Sequence, residues 1–162
     1  MRRSLVFGLV LGVLAFGART AHSAAHVVGT NGVTLSSSTV GLTWNAPVVI
    51  DPAVSFFGVW FVDETVGVAV GNGATIRRTA NGGTTWDLIA PPIQSSFSDV
   101  MFPDATTGYI AAGNGQVLKS VNAGASWVAQ SPGSGAGFNA IWFLTPTTGW
   151  AAGTAGDRKS VV

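Results

Sequence analysis

The stretch that decides the fold is Thr79-Ala80-Asn81-Gly82-Gly83-Thr84-Thr85-Trp86. It recurs as Ser120-Val121-Asn122-Ala123-Gly124-Ala125-Ser126-Trp127, and more weakly as Ser37-Ser38-Thr39-Val40-Gly41-Leu42-Thr43-Trp44. The shared pattern is Ser/Thr-x-Asn-x-Gly-x-Ser/Thr-Trp, with Thr39 in the Asn place of the first copy. Trp44, Trp86 and Trp127 stand 42 and 41 residues apart. A constant step of this size marks a repeat architecture.

Other landmarks keep the step. Phe56-Phe57-Gly58-Val59-Trp60-Phe61 aligns with Phe97-Ser98-Asp99-Val100-Met101-Phe102 and with Phe138-Asn139-Ala140-Ile141-Trp142-Phe143. Gly67, Gly108 and Gly149 are each 41 apart. The clearest period reads as four short strands. Phe97 to Phe102 is the first, and Gly108 to Ala112 is a second, small and apolar enough to be buried on both faces. Gly113-Asn114-Gly115 supplies the positive-φ residues of a hairpin turn. Gln116 to Ser120 is the third strand, and Ser126 to Ala129 the fourth, with Trp127 pointing inward. Four strands in a period near 40 residues make a β-propeller blade.

The expected fold is therefore all-β: β-propeller blades of four-stranded antiparallel sheets, in an incomplete ring of about three blades' worth. Residues 1–25 read as a leader and 26–162 as a partial propeller. The blades fall at approximately 27–50 (partial), 51–92, 93–133 and 134–162 (partial). The first piece lacks strand one. The last supplies strands one and two and a stub near Lys159-Ser160. Closed propellers have about 4–8 blades, so the remaining blades are expected to be missing or supplied by another chain. A repeat broken at Gly156–Val162 favours a truncated piece.

Composition agrees with this fold. Hydrophobic residues make up 47% of the 162 residues and charged residues 9%, with 22 glycines. That mixture suits short strands and tight turns. A net charge of +1 offers no clustered basic footprint for nucleic acid. With no cysteine, disulfides and thiolate metal sites are excluded. Arg2 and Arg3, the apolar run Leu5 to Phe16 and the small residues Ala21 to Ala25 have the layout of a secretory signal peptide. Cleavage is expected after Ser23 or Ala25, and the protein is expected to be exported to a periplasmic, extracellular or lumenal space.

The box Thr79–Trp86 and its copies resemble the Asp-box, or BNR, repeat of sialidases, sortilin-type receptors and bacterial propellers. In that repeat an Asn or Asp side chain holds the turn through backbone amides, and the Trp anchors it in the blade. The resemblance makes Thr79, Asn81, Gly83 and Trp86, Ser120, Asn122, Gly124 and Trp127, and Trp44 structural box residues. Thr39 in the Asn place implies a looser first turn. Gly108-Tyr-Ile-Ala-Ala-Gly-Asn-Gly115 and Gly149-Trp-Ala-Ala-Gly153, with Phe97-x-Asp-Val-x-Phe102, are similar to the photosystem II stability/assembly factor family over residues 27–160. That family implies a secreted or lumenal seven-bladed propeller that binds partner proteins during photosystem assembly. The implied role is non-catalytic, with a protein partner such as a membrane-protein complex, no nucleic acid and no cofactor.

The chemistry-bearing residues agree with a binding role. Sialidase-type glycan binding or hydrolysis, the alternative, needs an arginine cluster and a tyrosine nucleophile with a Glu partner. The only tyrosine, Tyr109, occupies a packing position shared with Val68 and Trp150, and the only glutamate, Glu64, reads as loop. No metal site is expected: His22 and His26 flank the cleavage region, and Asp63 and Asp104, 41 apart, read as turn carboxylates. Arg78, Lys119 and Lys159 precede the box Ser/Thr in successive repeats, at steps of 41 and 40. Stacked blades would set them in a row able to receive an acidic partner. Ser98, Asp99 and Asn139, facing the channel from strand one, are the other contact set.

Overall fold

A computed structural model describes residues 25–39, 42–133 and 136–154, with the backbone of 158–161. Residues 1–24, most of the stretch read as a leader, lie outside the described residues. The strands are β1 (Ala25–Val28), β2 (Val33–Ser37), β3 (Val48–Val49), β4 (Phe56–Phe61), β5 (Gly67–Gly71), β6 (Thr75–Thr79) and β7 (Asp87–Ile89). They continue with β8 (Phe97–Met101), β9 (Gly108–Ala112), β10 (Val117–Ser120), β11 (Val128–Gln130), β12 (Phe138–Thr145), β13 (Thr148–Gly153) and β14 (Arg158–Val161).

The strands form four antiparallel meanders: β1-β2-β3, β4-β5-β6-β7, β8-β9-β10-β11 and β12-β13-β14. The first strands of successive sheets meet one another, β4 on β8 and β8 on β12. The sheets therefore fan out from an axis lined by first strands, as propeller blades do. The chain is a partial β-propeller.

Each central sheet must cover two apolar faces, and its neighbours do so. Val68, Val70 and Ile76 of the second sheet pack on Phe97, Val100, Phe102, Ile110 and Leu118 of the third. Met101, Tyr109, Ala111 and Val117 on the opposite face of the third sheet pack on Phe138, Ile141, Phe143 and Ala151 of the fourth. Val28 joins Phe56, Val59, Phe61 and Ala69 between the first and second sheets. As a result every residue of β5 and β9 is buried.

The glycines at steps of 41 are explained by one contact. A Cβ on Gly67 would stand 2.8 Å from the Phe61 ring, one on Gly108 would stand 2.4 Å from Phe102, and one on Gly149 would stand 2.4 Å from Phe143. The phenylalanine near the end of strand one packs against the glycine near the start of strand two. Edge-on to that ring comes the box tryptophan: Phe61–Trp86 and Phe102–Trp127 centroids are both 5.9 Å apart.

The box turns carry the same network twice. The Thr79 hydroxyl accepts from the amides of Asn81 (3.2 Å) and Gly83 (2.9 Å), and donates to Asn81 Oδ1. Asn81 Oδ1 accepts from Thr85 N, its Nδ2 donates to the Thr85 hydroxyl, and Trp86 Nε1 donates to Gly83 O. Ser120, Asn122, Gly124, Ser126 and Trp127 repeat every bond. Trp127 is 5% exposed, but it precedes β11 and does not lie within a fourth strand from Ser126. The turn occupies Ser126 N and the indole N–H, so ladder pairing begins only at Val128.

In the first box a threonine takes over part of the asparagine's bonding. Thr39 Oγ1 accepts from Thr43 N at 2.8 Å and bonds the Thr43 hydroxyl at 2.7 Å, which replaces the asparagine with a shorter side chain. Val40 and Gly41 lie outside the described residues. Trp44 is 42% exposed, unlike its two counterparts.

Two substitutions test this account. Gly108→Ala drives a methyl group into the Phe102 ring and is expected to cost about 1–3 kcal/mol. Ala123 has a φ of 54° where the matching Gly82 has 68°. A left-handed alanine costs roughly 1–2 kcal/mol, so Ala123→Gly is expected to raise stability by a large part of that. Urea titration of both variants checks the opposite signs.

Candidate functional site: a protein-binding surface

Two surfaces come from the sequence, and each is built on repeated register. In the first, Arg78 pairs with Val68 and Lys119 pairs with Tyr109, so both cations stand on the face that meets the next sheet. Both are half-buried. Arg78 Nε donates to Ala123 O at 2.9 Å, which ties its sheet to the box turn of the next. Lys119 Nζ lies 5.4 Å from the centre of the Tyr109 ring, over its face.

The row does not continue to Lys159. In the fourth sheet Lys159 pairs with Ala151, and Ser160 pairs with Trp150. The register place of Arg78 and Lys119 thus falls to Ser160. Lys159 holds the place of Arg77 and Leu118. The step of 40 rather than 41 is the cause, because one residue of slip in a strand exchanges its two faces. The side chain of Lys159 lies outside the described residues.

The second surface lies on the inner strands. The ladder of each first strand shifts register between Phe56 and Gly58, Phe97 and Asp99, and Phe138 and Ala140. The extra residues are Phe57, Ser98 and Asn139, 41 apart. Phe57 and Asn139 are exposed, and Ser98 is half-exposed. Phe57 was not singled out from sequence, although the alignment of the first strands holds the signal. Asp99 is half-exposed like Ser98, and its carboxylate is engaged. Its Oδ2 accepts from Ile141 N at 3.0 Å on the next sheet, and its Oδ1 accepts from Val100 N. Burial pushes its carboxyl above the ordinary value, and the two backbone bonds only partly oppose that.

The turn carboxylates behave as read. Asp63 Oδ1 accepts from the amides of Thr65 and Val66, both at 2.7 Å. Asp104 Oδ1 accepts from Thr106 N (2.7 Å) and Thr107 N (2.6 Å). These turns brace the boxes: Gly82 N donates to Thr65 O, and Ala123 N donates to Thr106 O. Slight burial raises the Asp104 carboxyl, but its hydrogen bonds outweigh that and hold it below the ordinary value. Among the described residues no group of three or more His, Asp or Glu is placed to hold a metal ion. Tyr109 is 2% exposed, stacks on Phe143 at 3.5 Å and donates its hydroxyl to Pro146 O at 2.6 Å.

The two aspartates shift in opposite directions. The stability that Asp104 contributes is present above the ordinary aspartate value and is lost as pH falls through its lowered one. For Asp99 the sign reverses: ionisation in the fold is disfavoured, so stability is lost as pH rises through its raised value. Carboxyl-carbon NMR is expected to show Asp104 titrating below the ordinary range and Asp99 above it. The reverse order would contradict the hydrogen bonding described.

No protein-family model matches the chain, and no curated protein does. Solved structures do match its fold. YCF48 bound to a D1 peptide aligns with a TM-score of 0.66 at 19% identity, covering 82% of this chain and 44% of that one. YCF48 from Cyanidioschyzon merolae aligns at 0.69 and 19%, covering 93% and 51%. An ancestral GH74 enzyme aligns at 0.60 and 15%, covering 86% and 24%. The chain spans about half the length of the YCF48 chains. At these identities the likeness concerns the fold, which is that of a β-propeller.

Proposed function

We propose that this chain is a non-catalytic, exported binding module that takes a polypeptide partner, in the manner of a photosystem II assembly factor. The observation that carries the reading is that a propeller of the same fold, YCF48, is seen with a D1 peptide bound. Arg78 and Lys119, half-buried on successive sheets, give this chain a cationic edge suited to an acidic peptide. Phe57, Ser98 and Asn139 offer a mixed apolar and polar line along the inner strands. Export rests on the arrangement of Arg2, Arg3 and the apolar run after them. The glycan-hydrolysing alternative draws nothing from Tyr109, whose hydroxyl is held by Pro146 O inside the packing.

Calorimetric titration with a D1 peptide and with an acidic peptide of unrelated sequence tests the reading. At least one is expected to bind. Lys119→Glu is expected to weaken that binding roughly tenfold, about 1.4 kcal/mol, with more loss at low salt than at high. If Asn139→Ala weakens binding and Lys119→Glu does not, the partner lies on the inner strands. Heat-free titrations with both peptides would defeat the proposal.

A further inference from the structure

Four of the seven asparagines are followed by glycine: Asn31, Asn72, Asn81 and Asn114. The other three precede alanine. An asparagine side chain carries an electrophile, the amide carbon Cγ. Bonding of the next residue's backbone nitrogen to that carbon closes a five-membered ring. Glycine has no Cβ to shield its nitrogen or to restrict the rotation that brings the two atoms together. Each Asn-Gly step is thus a place where the chain can attack itself, and the fold decides which step is open to it.

At three steps the nitrogen is occupied. Gly32 N donates to Val54 O at 2.6 Å, Gly82 N to Thr65 O at 2.9 Å and Gly115 N to Ala112 O at 3.1 Å. Gly32 and Gly115 are also buried, and Gly82 is half-buried. Two of the side chains are held at both ends. Asn81 Oδ1 accepts from Thr85 N, and its Nδ2 donates to the Thr85 hydroxyl. Asn114 Oδ1 accepts from Gln116 N, and its Nδ2 donates to Gln116 Oε1.

Asn72-Gly73 is arranged differently. It opens the hairpin between β5 and β6, where Gly73 and Ala74 have φ of 60° and 57° and Thr75 N donates to Asn72 O at 3.2 Å. Gly73 is exposed, and its N–H makes no hydrogen bond among the described residues. A Cβ built on it would meet only Thr75 Oγ1, at 3.9 Å. Asn72 Oδ1, by contrast, accepts from Ser55 N at 3.0 Å. Asn72 N donates back to Ser55 O at 3.1 Å, which fixes that donor in place. A fixed donor on a carbonyl oxygen stabilises the negative charge the oxygen gains when its carbon is attacked. An unoccupied nucleophile and a polarised carbonyl therefore meet at this step and not at the other three.

We propose that Asn72 is a site of intramolecular deamidation, and that the fold directs the modification to it and away from Asn31, Asn81 and Asn114. Gly73 N forms a bond to Asn72 Cγ and gives its proton to solvent, and the side-chain nitrogen leaves as ammonia. The product is a cyclic succinimide. Water then opens the ring. Cleavage at Cγ gives aspartate, and cleavage at the backbone carbonyl gives isoaspartate. The net change is one water consumed and one ammonia released, and either product adds a negative charge to the hairpin.

Incubation of the folded chain in mildly alkaline buffer, followed by peptide mass mapping, tests this. The Asn72 peptide is expected to show the amide-to-acid mass change about five- to tenfold faster than the other three Asn-Gly peptides, the factor by which one backbone hydrogen bond holds a glycine nitrogen back. In concentrated urea, where no fold protects any of them, the four are expected to react at similar rates. Asn72→Gln, which would need a six-membered ring, is expected to remove the fastest reaction. Amide hydrogen exchange is expected to be faster at Gly73 than at Gly32, Gly82 or Gly115. A folded chain that reacts first at another Asn-Gly step, or equally at all four, would overturn the proposal. So would an Asn72 that reacts only in urea, or slow exchange at Gly73.

Discussion

The structure depends on a phenylalanine ring laid on a glycine. Phe61 on Gly67, Phe102 on Gly108 and Phe143 on Gly149 hold the end of strand one against the start of strand two. That ring meets the box tryptophan edge to face in the two central blades, which ties the turn between strands three and four to the start of the blade. A second brace runs between the turns themselves, from Gly82 N to Thr65 O and from Ala123 N to Thr106 O. Each of these two blade corners is thus closed by one aromatic cluster and one backbone bond. The asparagine and aspartate side chains satisfy amides that the tight turns would otherwise leave without partners.

From that corner the blade-to-blade contact follows. The ring that covers the glycine turns its other face to the preceding blade, where His26 or Tyr109 stacks on it. One side chain therefore serves two interfaces, within the blade and between blades. This coupling is why stability in repeat architectures resides in neighbour contacts as much as in each unit. Asp99 adds a polar link of the same kind by accepting from Ile141 N across the gap. Gly58 stands in its place one blade earlier, and Ala140 one blade later, so only the third blade carries this carboxylate.

Much of the fold was legible because the determinants are local and periodic. The boxes at Thr79 and Ser120, the glycines at steps of 41 and the first-strand pattern set the number, order and phase of the strands. The small apolar residues of β9 announced burial on both faces, which the structure shows. The candidate site was less legible. Arg78 and Lys119 were identified as equivalent, but their engagements with Ala123 O and the Tyr109 ring come from the neighbouring blade and from within the sheet. Lys159 was placed with them by spacing, and a single residue of slip moved it to another register place. Strand alternation makes such a difference decisive, and spacing read at a tolerance of one residue cannot resolve it.

By itself the sequence determined that the chain is built of repeated four-stranded blades. A turn motif pinned by Asn81 or Asn122 and followed by tryptophan is chemically complete within eight residues. Only the tertiary structure decided which apolar side chains are core and which are surface. Tyr109 and Trp150 occupy the same place in the repeat, yet one is buried and the other open, because burial belongs to the neighbour that arrives and not to the residue that waits for it.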